Sequence, residues 1–178
     1  LIEDTCTTCH APMGRTHAYH TNTNLTDGYY RFDTAKSENI SREGVSCTLC
    51  HQIGAGNLGT PGSFSGGFAI QGNPLAADYK DIYGPYNNPS TGQMDNNTGH
   101  KPVEGVYLVK SELCATCHTL YTPALDPDTG IPSGTSFLEQ GTYLEWLNSV
   151  YATGGAQEAH CQKCHMPEPE AGYGTKIS

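Results

Sequence analysis

His160-Cys161-Gln162-Lys163-Cys164-His165 is the stretch from which the organisation of this chain can be read. Two cysteines separated by two residues and followed directly by a histidine are typical of a c-type haem attachment site. In such a site both thiols bond to the haem vinyl groups and the histidine ligates the iron. The hexapeptide therefore predicts that His165 is a proximal iron ligand. His160 adjoins a cysteine tethered to one face of that haem, so any iron that its ring binds belongs to another haem.

The Cys-x-x-Cys-His pattern occurs four times, and its copies use all eight cysteines of the chain. We number the predicted haem sites 1 to 4 in chain order. The predicted attachment residues are Cys6 and Cys9, Cys47 and Cys50, Cys114 and Cys117, and Cys161 and Cys164; the predicted proximal ligands are His10, His51, His118 and His165. Paired cysteines also suit tetrahedral zinc, but zinc does not require a histidine directly after every pair. The pattern therefore favours four haems c (iron) over zinc.

Four histidines remain after the proximal ligands are assigned, one for each iron: His17, His20, His100 and His160. Eight histidines for eight axial positions predict four low-spin haems, each with two histidine ligands. His17 and His20 are three residues apart, so a helix would place them on one face, where they could ligate two stacked haems. Met166 adjoins its own proximal histidine and cannot reach the other face. Met13 and Met94 are interpreted as haem packing or surface residues.

The composition is too poor in apolar residues for a conventional layered core. Only 36% of the residues are hydrophobic, and the chain contains 21 Gly and 11 Pro. Four haems would supply the missing apolar mass. The sequence therefore predicts one tetrahaem domain, residues 1–178, without a separate N-terminal domain. Its fold class is mostly irregular coil with a few short α-helices and little β structure, and the haems form the core.

The charge and the chain ends bear on partners and location. The net charge is −9, and haem propionates add negative charge, which argues against nucleic acid and anionic membrane surfaces as partners. No apolar run approaches the length of a membrane span, so no membrane insertion is expected. The chain starts at Leu1 rather than Met, from which a processed mature form is expected. Covalent haem attachment takes place outside the cytoplasm, which predicts an extracellular or cell-surface location, with the periplasm as the alternative.

Local patterns predict several elements. The clearest helical pattern runs over residues 137–151, with Gly154-Gly155 as its stop. It contains Trp146, which is interpreted as packing on a haem. The Asp-Pro-Asp-Thr-Gly sequence at 126–130 lacks the further ligands of a calcium loop, so a plain turn is predicted. A Pro/Glu/Gly-rich tail at 167–174 is expected to be extended.

Two other stretches are interpreted as surroundings of the haems. The segment between His51 and Cys114 is rich in Gly, Asn and Pro, and such a long irregular segment is unusual in an ordinary domain. We expect it to wrap around the cofactors and to carry His100 to an iron. The aromatic residues that precede site 2 are interpreted as packing at haem edges: Tyr29, Tyr30 and Phe32.

Three stretches resemble the bacterial and archaeal multihaem cytochromes c. They are Glu-Leu-Cys-Ala-Thr-Cys-His at 112–118, Gln-Gly-Thr-Tyr-Leu-Glu-Trp-Leu at 140–147 and Cys-Gln-Lys-Cys-His-Met-Pro at 161–167. The short lead, four haem sites, early His-x-x-His pair and Gly/Thr/Asn-rich sequence are similar to those of extracellular filament-forming (nanowire) tetrahaem cytochromes. This resemblance implies a multihaem cytochrome c fold of coil and scattered short helices. It also implies alternating stacked and T-shaped haem pairs, with one distal histidine donated across each subunit boundary.

The resemblance implies electron transfer rather than enzymatic activity. The chain would be the repeating subunit of a helical homopolymer, and redox partner proteins or extracellular acceptors would exchange electrons with it. The His-x-x-His pair lies near the N-terminus, so we expect His17 or His20 to ligate haem 4 of the adjacent protomer. One alternative is a discrete periplasmic tetrahaem shuttle. Another is a multihaem reductase of nitrogen or sulfur oxyanions, which needs an open axial position that the histidine count argues against.

Overall fold

The structure is a computed structural model that describes residues 2–71 and 81–166. Helices account for 42% and strands for 17% of it, and the longest described helix has 10 residues. The predicted short helices are confirmed, and the strands form two small sheets. The tail at 167–174, for which an extended conformation is predicted, lies outside the described residues.

The described α-helices are short and joined by loops and turns. They are α1 (Ile2–His10), α2 (Pro12–Thr21), α3 (Phe32–Ser37), α4 (Asn39–Arg42), α5 (Cys47–Gln52), α6 (Thr91–Thr98), α7 (Ser111–His118), α8 (Thr142–Leu147) and α9 (Cys161–His165). A 3₁₀ helix spans Val106–Val109. None of the helices within residues 2–71 and 81–166 combines the length and the apolarity that crossing a bilayer requires.

The strands form two separate pairs. β1 (Asp81–Gly84) and β2 (Lys101–Glu104) are parallel, with α6 between them in the chain. β3 (Leu120–Leu125) and β4 (Pro132–Gln140) are antiparallel. The segment between sites 2 and 3 is therefore more regular than predicted, although residues 72–80 of it lie outside the description. The parallel pairing satisfies backbone groups that an irregular segment would leave to water.

The N-terminal helices pack around Tyr30, whose side chain is fully buried. Ala18 of α2 packs in the same cluster, and the Tyr30 hydroxyl forms hydrogen bonds with Glu38 and Ser41. Gly14 of α2 lies so close to α4 that an added Cβ would collide with Ser41 Oγ. Helix α2 can therefore lie directly against α4 because residue 14 has no side chain.

A second apolar cluster joins the helices of sites 2 and 3. Leu49 of α5 and Leu113 of α7 are buried in it together with Ile53 and Leu108. Both clusters are small, as expected for a chain with few apolar residues. The second cluster fixes α5 against α7 and thereby sets how two of the predicted haem sites face each other.

The helix predicted at 137–151 is wrong in its first part. Residues 137–140 belong to β4, where Phe137 pairs with Thr122 and Leu138 pairs with Tyr121 of β3. The Gly-Thr-Ser sequence at 134–136 has low helix propensity, and pairing with β3 satisfies the backbone of this segment. Helix α8 begins only after Gly141 and ends at Leu147. Turns, rather than the predicted continuation of the helix, follow it.

The sequence at 126–130 is a turn between β3 and β4, as predicted. Asp126 Oδ1 accepts hydrogen bonds from the backbone N–H groups of Thr129 at 2.8 Å and Asp128 at 3.1 Å. It also accepts one from the Thr129 hydroxyl at 2.9 Å. The bonds from Thr129 hold the pKa of Asp126 below its ordinary value of 3.8. This carboxylate therefore stabilises the turn by local hydrogen bonding.

Candidate haem-binding site

Each Cys-x-x-Cys-His pattern lies in a helix, with its histidine at or next to the helix end. His10, His118 and His165 are the last residues of α1, α7 and α9, and His51 is the last but one of α5. Cysteines three residues apart lie on one face of a helix, so both thiols of a pair face the same region. The four predicted sites therefore share one local structure, which suits two bonds to one macrocycle.

Thiols from different sites approach one another around α7. The Cys9 and Cys117 thiols interact, and this interaction raises the pKa of Cys9 and lowers the pKa of Cys117. Burial raises the pKa of Cys114 to about 12, with a further contribution from nearby Cys161. Burial, followed by the charge of Cys117, also raises the pKa of Cys50. Sites 1, 2 and 4 therefore each have a thiol near site 3.

A cavity of about 310 Å³, which we call the central cavity, lies beside α5 and α7. Site 2 contributes Cys50 and His51 to its lining, and site 3 contributes Cys114, Cys117 and His118. Most of the remaining lining is apolar and includes Leu49, Ile53, Leu108, Leu113 and Met166. Thiols and imidazoles beside an apolar wall are the chemistry that a covalently attached haem requires. The residues present at the central cavity therefore fit haem c.

The ring of His51 has a defined hydrogen-bond partner. Its Nδ1 contacts the backbone carbonyl oxygen of Tyr83 in β1. A carbonyl oxygen only accepts, so the imidazole proton lies on Nδ1 and the lone pair lies on Nε2. Histidines that ligate metals are commonly oriented by such a contact at the second ring nitrogen. The contact therefore leaves Nε2 of His51 in the state that its predicted role as a proximal ligand requires.

His17 and His20 lie on the same helix, α2. Both line a cavity of about 160 Å³, which we call the N-terminal cavity, together with Met13 and Leu49. Leu49 belongs to α5 and also lines the central cavity. The histidine pair is therefore close to site 2 of its own chain. The expectation that one of the pair ligates a haem of an adjacent protomer stays a prediction.

His160 directly precedes α9 and lies where the helices of sites 3 and 4 meet. Its Nδ1 is 3.2 Å from both the backbone nitrogen and Oγ of Ser111, the first residue of α7. Its Nε2 is 3.4 Å from Lys110 Nζ, and its ring centroid is 5.6 Å from that of Trp146. His160 also lines a cavity of about 700 Å³ together with Met166. This histidine therefore connects sites 3 and 4.

His100 is separate from the other candidate distal ligands. It follows α6, whose C-cap residue Gly99 has the left-handed conformation. Within the described part of the chain, its buried Nδ1 has no hydrogen-bond partner. The described linings of the three cavities above do not contain His100 or these predicted residues: Cys6, Cys9, His10, Cys47, Cys161, Cys164 and His165. Across residues 2–71 and 81–166, no three His, Cys, Asp or Glu side chains come together as a site for a metal ion.

The aromatic residues interpreted as haem packing lie in different surroundings. Tyr30 is a residue of the protein core, where burial and then the Glu38 carboxylate raise its pKa to about 12. This environment differs from the haem edge that was predicted for it. Trp146 stacks on Tyr143, with ring centroids 5.6 Å apart and planes inclined by 22°. Contact of Trp146 with a haem stays a prediction.

Three residues that organise these sites were not found from the sequence. Tyr83 orients His51 through a backbone carbonyl, which every residue type possesses. Ser111 contacts His160 from a distant part of the chain. Asp4 accepts hydrogen bonds from Arg15 at 2.8 and 3.3 Å and thereby joins α1 to α2. No short motif marks any of the three, because each acts through a contact that only the fold creates.

No protein-family model, no curated protein and no solved structure matches this chain. The assignment of its function therefore depends on the repeated pattern and on the geometry described above.

Proposed function

We propose that the chain is an electron-transfer protein, rather than an enzyme, with four covalently attached haems c and two histidine ligands on each iron. The observation that carries this proposal is the convergence of the Cys-x-x-Cys-His helices. Residues of sites 2 and 3 line the central cavity, and Ser111 at the start of the site 3 helix contacts His160 and Cys161 beside site 4. The Cys9 and Cys117 thiols of sites 1 and 3 interact. Electron transfer requires cofactors that are close to one another. Attachment residues that approach one another keep the sites close within a single chain.

Each class of residue has a defined role in this proposal. The eight cysteines form thioether bonds, and the histidine after each pair is the proximal ligand. The distal ligands are His17, His20, His100 and His160. Each haem, when bound, supplies a one-electron ferric/ferrous couple. The apolar wall of the central cavity excludes water beside sites 2 and 3, and this burial is one means by which a protein sets a reduction potential.

The proposal extends to assembly into an extracellular conductive filament. It is supported by the resemblance to filament-forming cytochromes and by the exposed His17 and His20 of α2. A histidine that ligates haem 4 of the next protomer would create a head-to-tail contact. Repetition of such a contact gives a helical filament unless the rotation closes a ring. Redox partner proteins or extracellular acceptors would then receive electrons from the assembly.

A discrete periplasmic shuttle is the second candidate, and one observation favours it. His17 and His20 line a cavity that Leu49 of the same chain also lines. Ligation of site 2 by one of them would therefore need no second subunit. In a shuttle every axial position is filled within one chain, and the protein remains a monomer.

The proposal is tested by producing the chain in a host with the cytochrome c maturation apparatus. Intact mass is expected to show four haems, the ferric absorption and paramagnetic resonance spectra are expected to be low-spin, and negative-stain electron microscopy is expected to show filaments. Fewer than four haems would overturn the tetrahaem assignment. A high-spin signal would overturn the bis-histidine assignment and favour a reductase. Low-spin monomers would favour the discrete shuttle over the filament.

A matched variant checks that the mass increments come from the predicted sites. Replacement of Cys114 and Cys117 by Ser removes the thiols of site 3, so this variant is expected to carry three haems. The same replacement at Cys47 and Cys50 is expected to give three as well. Four haems in either variant would contradict the assignment of that site.

A further inference from the structure

Ser111 is fully buried and lies where α9 meets the start of α7. Its Oγ accepts a hydrogen bond from the backbone N–H of Cys161 at 3.1 Å. The side-chain nitrogen of Gln162 donates to the carbonyl oxygens of Leu108 at 2.9 Å and Lys110 at 2.8 Å. These bonds attach the helix of site 4 to residues just before and at the N-terminus of the site 3 helix. Ser111 is therefore in a rigid setting beside His160.

Ser111 presents two different groups to Nδ1 of His160, its backbone N–H and its hydroxyl, each at 3.2 Å. The two groups favour opposite tautomers of the imidazole. A backbone N–H only donates, so it places the ring proton on Nε2, whereas a hydroxyl oxygen can accept and so allows the proton to lie on Nδ1. Ligation of iron through Nε2 requires the second tautomer, because the Nε2 lone pair is then free.

We propose that Ser111 is the positioning residue of His160: its hydroxyl accepts the Nδ1 proton and keeps Nε2 available for iron. This inference rests on the proposed function, because it takes His160 to be a distal ligand. Among the described hydrogen-bond contacts of His160, those of Ser111 reach Nδ1, whereas that of Lys110 reaches Nε2. The Trp146 ring limits the rotation of the imidazole from another side. The Lys110 ammonium can only donate, so its contact also places the lone pair on Nε2, and the serine hydroxyl supplies the matching acceptor at Nδ1. The Trp146 ring helps to hold the plane of the imidazole.

The test compares Ser111→Ala with Ser111→Thr in the haem-loaded protein. Ser111→Ala removes the acceptor and leaves the backbone donor, so it favours the tautomer that cannot ligate. We expect the apparent affinity of one haem for added cyanide to rise by about 10- to 100-fold, the range typical of losing a partner that orients a metal ligand. A high-spin ferric signal from one haem is expected to accompany it. Ser111→Thr keeps a hydroxyl and is expected to behave as the wild type.

The His160→Ala background distinguishes loss of His160 positioning from a general loosening of the fold. In His160→Ala the histidine is absent, so adding Ser111→Ala is expected to change the cyanide affinity no further. Ser63→Ala is the matched control, because Ser63 is also fully buried and its hydroxyl donates to the Thr60 carbonyl at 3.0 Å. This control is expected to keep the wild-type spectrum. An undiminished effect in the His160→Ala background, or an equal effect of Ser63→Ala, overturns the inference.

The remaining outcomes distinguish failure of the proposed function from failure of this inference. Wild-type protein without four bis-histidine haems refutes the proposed function itself. Four such haems in the wild type, together with an unchanged cyanide affinity in Ser111→Ala, refute this inference alone. If Ser111→Ala fails to load its haems, Ser111→Thr carries the test: wild-type cyanide affinity supports the inference, and weakened ligation overturns it because the hydroxyl is still present.

Discussion

Asp4 links the helix of site 1 to the helix that carries the His-x-x-His pair. Its carboxylate accepts hydrogen bonds from Arg15 at 2.8 and 3.3 Å, the Tyr19 hydroxyl at 2.7 Å and the Tyr30 backbone N–H at 3.1 Å. Burial raises the pKa of Asp4, but the bonds from Arg15, Tyr19 and Tyr30 outweigh it and hold the pKa below 3.8. The ionised carboxylate is therefore the form that keeps α1 against α2.

The depressed pKa of Asp4 gives its contribution to stability a definite pH dependence. A carboxyl group with a lowered folded-state pKa stabilises the protein above its unfolded-state pKa, and this contribution is lost as the pH falls through the folded-state value. We expect the unfolding free energy of the wild type to decrease below about pH 4. Asp4→Asn is expected to lose about 1–3 kcal/mol at pH 7 and to show a smaller decrease in acid.

Urea unfolding at several pH values measures both effects. Asp33→Asn is the matched control, because the Asp33 side chain is 100% exposed. Its ion pair with Lys36 is exposed and contributes little, so the unfolding free energy of this variant is expected to stay close to that of the wild type. Identical pH dependence in the wild type and in Asp4→Asn would contradict the role assigned to this carboxylate.

Gly14 allows α2 to approach α4, and this close approach can be tested by adding one methyl group. A Cβ at residue 14 collides with Ser41 Oγ and the Tyr30 hydroxyl. We expect Gly14→Ala to lower the unfolding free energy by about 1–3 kcal/mol, the usual cost of overpacking. Gly92→Ala is the control, because Gly92 is also helical but a Cβ there meets open space. It is expected to be neutral or to stabilise by up to about 1 kcal/mol. Equal unfolding free energies of Gly14→Ala and Gly92→Ala would contradict the close packing of α2 against α4.

At the scale of elements, the β3–β4 hairpin shows where the sequence is least informative. The apolar positions after residue 137 fit a helical period, but Phe137 and Leu138 pair instead with a strand that begins at residue 120. A periodic pattern describes only its own segment, so it cannot reveal that a partner strand is within reach. The spacing of His17 and His20, by contrast, is local, and α2 places both residues on one helix.

The exposed hairpin is expected to tolerate substitution. Phe137 in β4 is 63% exposed, whereas Tyr143 in α8 is 4% exposed and stacks on Trp146. Chemical denaturation of the isolated chain is expected to show a change of less than about 0.5 kcal/mol for Phe137→Thr, as for most surface positions. Tyr143→Ala is expected to cost about 3–5 kcal/mol. A loss above about 1 kcal/mol for Phe137→Thr would mean that the hairpin supports the core.

At the scale of the whole molecule, the thin protein core follows from the composition, but the convergence of the four sites does not. Low apolar content predicts small clusters such as that of Leu49 and Leu113. The contact between Cys9 and Cys117 joins residues from opposite halves of the chain. Such contacts arise because α1 packs near α7, and the spacing of the motifs does not predict this packing. The sequence therefore predicts which residues belong to each site, but it does not predict which residues lie beside them.

Separate variants of His17 and His20 distinguish a filament from a shuttle. If one of them ligates a neighbouring protomer, its replacement by Ala is expected to leave the protomer folded but monomeric, with one high-spin haem. The other variant is expected to assemble normally. Electron microscopy and the ferric spectrum of each variant measure the outcome. Filaments of normal length from both variants would rule out ligation across the subunit boundary.

The arrangement of the thiols around α7 has a consequence for connectivity. Site 3 has a thiol of each other site nearby, whereas the chain order would suggest a series circuit from site 1 to site 4. Under the proposed function, site 3 is then a node that lies close to each of the other sites. Loss of site 2 would leave the approach of sites 1 and 4 to site 3 intact, whereas loss of site 3 would remove the site that all the others approach.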